Sequence, residues 1–399
     1  MASIGDTPRN GAFSPFRHVQ SQLVWHGTAA LKTISINGRF LAQPLTGVQR
    51  FARELTAALD RRIGQGALPS PLLGSRWRIV VPAGVEIDLE LQHMEVLQTG
   101  RSNGHVWEQS VLARATRQDL LVGFGGSGPL LHPHQFVVIH DATIFRHPEA
   151  FGRGYRALHK LLGFALTRTA RVATVSEFSR RELSAVFRVP AEGIAVIHNA
   201  PDHFAETVPD GSIVDRLGLD DRGFFVLVGT LKPNKNVDFA IRAFQESALP
   251  GQKLVIVGGI HSHVFKGSGI AEADNIIFAG RLSDAEVAGL ERQAIAFVFP
   301  SLYEGFGIPP LEAMTQECPV LAADIPAVRE ACGDAALYFD PRDRESLKQA
   351  MQLILAQPER RATLVAAGHA NLAHFSWEKS TQALLAILAE MCPERLAKA

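Results

Sequence analysis

Cysteine is scarce. Cys318, Cys332 and Cys392 are the only three, an odd number without Cys-x-x-Cys spacing. That argues against a disulfide framework or a structural zinc site and fits a reducing compartment. No apolar run reaches the roughly 18 residues of a membrane-spanning helix. The opening segment carries Asp6, Arg9 and Arg17 with no continuous apolar core, which does not read as a secretory signal. An excess of either charge is lacking too: forty Lys and Arg balance forty Asp and Glu. A basic footprint for nucleic acid is therefore absent at the level of the whole chain. What is present is ordinary globular material, 46% apolar and 20% charged over 399 residues. That excludes disorder and collagen-like repeats. At about 150 residues per domain the length suggests two to three domains. The expectation is a soluble, cytoplasmic α/β protein.

Apolar runs of buried-strand type alternate with helical patterns along the chain. In the first half strands are expected at 33–36, 78–82, 120–122, 136–139, 171–175 and 194–197, and helices at 48–59, 155–169 and 177–187, the last capped by Ser176. Residues 1–31 read as a loose tail. Residues 201–216 mix turn formers, and the linker is placed at 206–216, between a domain over 32–205 and one over 217–375. The second half places strands at 224–228, 253–257, 276–278, 296–299, 320–322 and 336–339. Its helices lie at 237–246, 284–293 behind Ser283, 309–316, 327–331 and 344–356. A final helix in 376–399 is expected to pack back on the first domain. The alternation predicts two parallel-sheet domains facing across a cleft, with ligand beyond the carboxyl ends of the strands.

One segment is richest in chemistry: Ser301-Leu-Tyr-Glu304-Gly-Phe-Gly-Ile-Pro-Pro-Leu-Glu312-Ala-Met. A buried strand leads into it, and Pro309 and Pro310 pre-set the first turn of a helix. The amides of Gly305, Phe306, Gly307 and Ile308 then stand ahead of a helix start without intrahelical partners, as an anion site requires. Carboxylates beside an anion repel it, so Glu304 and Glu312 suit sugar and ribose hydroxyls instead. A tight strand–helix turn with a dipole-complementing Glu is the other reading. Val228-Gly-Thr230-Leu-Lys-Pro-Asn-Lys235-Asn follows the first strand of the second half, where a phosphate-binding turn belongs. Val137-Val-Ile-His140-Asp141 ends a strand in a polar pair. Asn37-Gly-Arg39-Phe and Thr46-Gly47-Val-Gln-Arg50 supply a second open helix start at Gly47.

With Ala323-Asp-Ile-Pro-Ala-Val-Arg-Glu-Ala-Cys-Gly-Asp-Ala-Ala-Leu-Tyr-Phe-Asp-Pro341, these strings resemble the retaining sugar-nucleotide glycosyltransferases of family 4, the "glycosyl transferases group 1", over roughly residues 33–395. That resemblance implies the GT-B fold of two Rossmann-like domains. It implies His140, Lys235 and Glu304 as catalytic residues. It implies Gly47, Thr230, Lys235, Gly305, Phe306, Gly307, Ile308 and Glu312 as donor-binding residues. Lys235 would bind the donor diphosphate, Glu312 the ribose, Glu304 the sugar hydroxyls, and His140 would face the sugar. Relatives often carry arginine at Thr230 or at Asn234, and whether Lys232 supplies the missing charge is left open by the sequence.

The opening string Ile36-Asn-Gly-Arg-Phe-Leu-Ala-Gln-Pro-Leu-Thr-Gly-Val-Gln-Arg50 resembles bacterial transferases of surface-polysaccharide assembly. This points to mannose from GDP-mannose and to a glycan or polyprenyl-diphosphate-linked acceptor. No metal or other cofactor is expected. Peripheral contact with the inner membrane through Phe145, Arg146, Phe151, Arg153 and Arg156 is a further expectation, against a helix face packed internally. Thr174-Val-Ser176-Glu-Phe-Ser179-Arg180 reads as capping, with Arg180 within reach of a phosphate. Asn199-Ala200 replaces the Asn-Gly common in relatives, so the turn must avoid positive φ or be strained. Gly123-Phe-Gly125-Gly-Ser-Gly128 fits a dinucleotide fingerprint, but Pro129 follows rather than a helix, so it reads as a flexible loop near the acceptor. His132, His134, His261 and His263 read as loop histidines. Two alternatives remain: a catalytically silent GT-B subunit, which Glu304, Glu312, Lys235 and His140 together argue against, and a sugar-nucleotide epimerase, which needs acid and base around the sugar C2.

Overall fold

The computed structural model describes residues 33–220, 223–230, 232–258 and 274–392. The tail over 1–31, the pair His261 and His263 and Leu231 lie outside the described residues. Among the described residues, thirteen strands form two wholly parallel sheets within one compact unit, Leu31–Ala399. The first sheet contains β1 (Thr33–Asn37), β2 (Arg76–Val81), β3 (Glu95–Gln98), β4 (Leu120–Gly123), β5 (Gln135–Val138), β6 (Arg171–Thr174) and β7 (Ile194–Val196), in the order β3-β2-β1-β4-β5-β6-β7. The second contains β8 (Phe224–Val228), β9 (Lys253–Val257), β10 (Ile276–Gly280), β11 (Ala296–Phe299), β12 (Val320–Ala323) and β13 (Ala336–Phe339), ordered β10-β9-β8-β11-β12-β13. Central strands are buried and largely apolar because helices cover both faces, and the polar Ser35 and Asn37 of β1 are buried with hydrogen bonds to Asp119 and Glu108. Ile34, Ile36, Leu120, Val122, Phe297 and Val298 are wholly buried. This is the two-domain GT-B architecture.

Each sheet has one point where strand order reverses, between β1 and β4 in the first and between β8 and β11 in the second. Ligands in open parallel sheets sit beyond the carboxyl ends of the strands at such points.

Two short helices, Asp202–Ala205 and Ser212–Arg216, occupy the boundary segment. Ile213 and Val214 are buried there, and the Asp210 amide donates to Ala285 O at 2.8 Å. The segment is therefore docked on the second sheet's helices rather than free. The last helix, Trp377–Met391, lies against the helix Gly47–Gly64 of the first lobe. Ala200 has no positive φ, so its turn is made without that strain.

Candidate functional site

β11 is buried and leads through Pro300 into the loop 301–307, and the helix Ile308–Thr315 follows with Pro309 and Pro310 in its first turn. Gly307 stands at the helix cap with φ 107, a conformation side chains disfavour. No described residue accepts a hydrogen bond from the amides of Gly305, Phe306 or Gly307. Lys235 ends the turn Pro233–Lys235, and Asn236 behind it adopts φ 55. Two bonds staple that turn to the 301–307 loop: the Leu302 amide donates to Asn234 O at 2.8 Å, and Asn234 Nδ2 donates to Tyr303 O at 3.3 Å. The staple brings Lys235 Nζ to 2.6 Å from Glu304 Oε1, with side chains 25% and 14% exposed. Thus the two residues assigned to diphosphate and sugar form an ion pair with each other. Thr230 is exposed two residues past β8.

Glu312 lies one turn further along. Its Oε1 accepts from His203 Nε2 at 3.1 Å, and His203 Nδ1 accepts from Trp377 Nε1 at 3.4 Å. Trp377 packs edge-on against Phe51 at 5.8 Å, and Phe51 against His140 at 4.9 Å. Three side chains therefore join the candidate ribose carboxylate of one lobe to the candidate sugar-facing histidine of the other. Glu291 lies buried on the neighbouring helix. Burial and the charges of Glu312 and Asp284 push its carboxyl well above the usual carboxylate range.

From the first lobe, His140 stands two residues past β5 and donates from Nε2 to Phe124 O at 2.7 Å. Burial pushes its imidazole down, so it is neutral and Nδ1 is left as an acceptor. A Cβ on Gly305 would lie 3.0 Å from both His140 O and Asp141 Cβ. Only glycine allows this approach, and it brings the two loops face to face. Ser176 caps its helix as expected, accepting from the Ser179 amide. It does more: Ser176 Oγ and Ser179 Oγ donate to Gly305 O at 2.5 and 2.8 Å. Glu330 crosses the boundary, accepting from the Glu177 and Phe178 amides at 2.6 and 2.8 Å. Arg50 reaches Asp284 at 2.6 Å, next to the exposed helix start at Gly47. Arg180 turns to Glu177 at 2.5 Å, not into the cleft.

The family model "Glycosyl transferases group 1" matches residues 212–370. "O-antigen chain mannosyltransferase B" of Escherichia coli is 31% identical over 268 residues, covering 62% of this chain and 69% of that protein. The chain belongs to the group 1 glycosyl transferases. "O-antigen chain mannosyltransferase RfbU" of Salmonella typhimurium is 29% identical over 235 residues, 58% of this chain, which spans just 63% of that relative's length. Among solved structures, WaaG, titled "a glycosyltransferase involved in lipopolysaccharide biosynthesis", superposes with TM-score 0.65 at 18% identity, covering 89% of this chain and 98% of that one. Anabaena Alr3699/HepE with UDP-glucose gives TM-score 0.66 at 15% identity, covering 90% and 99%. At such identities these two show the fold.

One reading of the sequence is corrected in this group 1 glycosyl transferase. The glycine-rich loop 123–128 is held, not flexible: Phe124 and Ser127 are wholly buried, and the Gly126 amide donates to Val138 O at 3.0 Å. In the 145–156 cluster, Phe145 packs on Phe187 at 5.3 Å, while Arg146 is exposed and pairs with Glu182 at 2.5 Å on the surface. His132 is likewise buried, within 2.8 Å of Thr116 O. Among the described residues no three metal-ligating side chains converge. Sequence reasoning missed Glu108, which is wholly buried, and His105 three residues before it. The only sequence signal is that carboxylate inside an apolar stretch, Val106-Trp-Glu-Gln-Ser-Val-Leu112.

Proposed function

We propose that this protein is a retaining α-mannosyltransferase that moves mannose from GDP-mannose to a lipid-linked or glycan acceptor in O-antigen or exopolysaccharide assembly. The observation that carries the reading is the Lys235–Glu304 pair set beside three unpartnered amides at a helix start, directly opposite His140. Lys235 and those amides hold the donor diphosphate and stabilise the charge that develops as it leaves. In this reading they carry the charge a divalent ion would otherwise carry. Glu312, oriented by His203, takes the ribose hydroxyls. Glu304 takes the mannose hydroxyls once Lys235 turns to phosphate, and His140 Nδ1 accepts from the sugar on its far side. The acceptor hydroxyl attacks the anomeric carbon from the face the diphosphate leaves. The C–O bond to diphosphate breaks as the new glycosidic bond forms, and the departing phosphate oxygen takes the hydroxyl proton. Docked lobes exclude water and so limit hydrolysis. The names of the O-antigen mannosyltransferase relatives support the mannose assignment.

GDP tests the donor reading through thermal denaturation. A ligand at one hundred times its Kd adds about 2.7 kcal/mol to native stability, so GDP and GDP-mannose should raise Tm by several degrees and UDP by less. A melting curve indifferent to every nucleotide would defeat it.

The acceptor side is read as meeting an anionic membrane at the cytoplasmic face. The helix Arg153–Thr169 carries Arg153, Arg156, Lys160 and Arg168 and no acid. It exposes Leu161 at 57% and Phe164 at 52%. Cations beside exposed apolar residues suit a lipid surface. Cosedimentation with phosphatidylglycerol vesicles should be lost in Leu161→Asp, and equal binding to zwitterionic vesicles would argue against the contact.

A further inference from the structure

The second sheet's switch point, between β8 and β11, leads into Lys235 and the 304–307 loop. The first sheet's switch point, between β1 and β4, holds an organised cluster with no assigned role. Asn37 and Arg39 come from the end of β1, and Ser127 from the loop after β4. All three converge on the buried Glu108 carboxylate. Oε1 receives Asn37 Nδ2 at 2.7 Å and Ser127 Oγ at 3.0 Å, with Arg39 Nε at 3.6 Å. Oε2 lies 3.1 Å from His105 Nδ1. Burial alone would push this carboxyl up; its hydrogen bonds and the Arg39 charge outweigh that and hold it below the usual range. Both oxygens are thus occupied, and Glu108 organises its neighbours rather than binding a ligand itself.

The consequence falls on His105. With Nδ1 committed to Glu108, Nε2 is the remaining hydrogen-bonding atom on a partly exposed ring held in one orientation. Glu108 also opens a π-helical turn, Glu108–Leu112, a distortion that is frequent at functional sites. His159 stands 5.4 Å from the His105 ring, and its Nε2 is out of solvent with no partner among the described residues. Such an atom leaves a hydrogen bond to be made. Tyr155 packs on His159 at 4.1 Å, and Phe151 stacks on Tyr155 at 5.7 Å. Lys232, from the Lys235 loop of the other lobe, lies 6.0 Å from the Phe151 ring. The row Phe151–Tyr155–His159–His105 therefore runs from beside the candidate donor loop to the first switch point.

We propose that this row and the His105–Glu108 pair form the acceptor subsite and take a neutral pyranose ring. A sugar ring presents an apolar C–H face, which packs on aromatic rings, and a rim of hydroxyls, which need placed donors and acceptors. His105 Nε2, His159 Nε2 and the Tyr155 hydroxyl supply the second, and the ring faces supply the first. An anionic group fits poorly: Arg39 is already engaged by Glu108 and by Ser127 at 2.8 Å, and the carboxylate would repel it. The proposal rests on the transferase reading above, and its test separates the two.

Methyl α-mannopyranoside, α-glucopyranoside and α-galactopyranoside are offered to the full chain with GDP present, and saturation transfer to sugar-ring protons is read by NMR. At least one glycoside should bind, and His105→Ala should weaken it about 3- to 10-fold, the worth of one neutral hydrogen bond. His159→Phe keeps the ring, removes the orphan nitrogen and should weaken binding to the same degree. GDP affinity, read by calorimetry, should be unchanged in both. Absence of ring-proton transfer in the wild type, or equal binding by both variants, overturns the acceptor subsite. Loss of GDP affinity in the variants also overturns it, because it assigns these residues to the donor. Failure of the wild type to bind GDP sinks the transferase reading instead.

Discussion

Lys235→Ala is expected to lower glycosyl transfer by about 10²-fold or more, the scale of losing one preorganised charge-stabilising donor. The ammonium is placed against the 304–307 loop by its own bonded framework, the Asn234 contacts to Leu302 and Tyr303. Removing it also strands Glu304, whose carboxylate loses its partner at 2.6 Å. An uncompensated carboxylate beside the diphosphate site then repels donor. Glu304→Ala should reach a similar deficit by another route, loss of sugar contacts and a released lysine. Because the two act as one unit, the double variant should be far less impaired than the product of the singles. Initial rates of GDP release with acceptor present read all three. Multiplying deficits would show that the pair has no joint role.

Glu330→Ala carries the second large effect, on kcat/KM. Its carboxylate, from the second lobe, accepts from two amides at the start of the first-lobe helix Glu177–Phe187. Hydrogen bonds to a charged group are worth about 1.5–3 kcal/mol each, so losing the cap should cut the docked population and turnover about tenfold or more. Glu330→Gln keeps an acceptor oxygen and should fall between. Burial pushes the Glu330 carboxyl up, but His198 and the two amides outweigh it and the net direction is down. A carboxyl lowered in the folded state stabilises fully above its unfolded value, and that stability is lost as pH falls through the folded one. Acid should therefore loosen the lobes. Small-angle scattering that shows no expansion in Glu330→Ala, with wild-type rates, would remove this latch from the account.

Most strands were legible because parallel strands covered on both faces read as bare apolar runs. β3 was not, since Glu95–Gln98 is a largely exposed edge strand without such a run. The helix Pro358–Leu372 escaped because it buries only Leu364 and Gly368, leaving too weak a periodic stripe. Around Glu108 the π-helical turn breaks the 3.6-residue period, which hides both the helix and its buried carboxylate. At the site, Lys235, Glu304–Ile308 and His140 were legible because strand ends and proline-led helix starts are local features. The bond from His203 to Glu312, the Ser176 contact to Gly305 and the Glu330 cap were not. Each joins segments more than 100 residues apart and exists only through docking of the lobes.

The account turns on where a diphosphate sits. A crystal of the protein with GDP should place the β-phosphate within hydrogen-bond reach of Lys235 Nζ and of the Gly305–Gly307 amides, with the ribose on Glu312. GDP lodged elsewhere on the second sheet, with Lys235 still closed on Glu304 and those amides untouched, would contradict it.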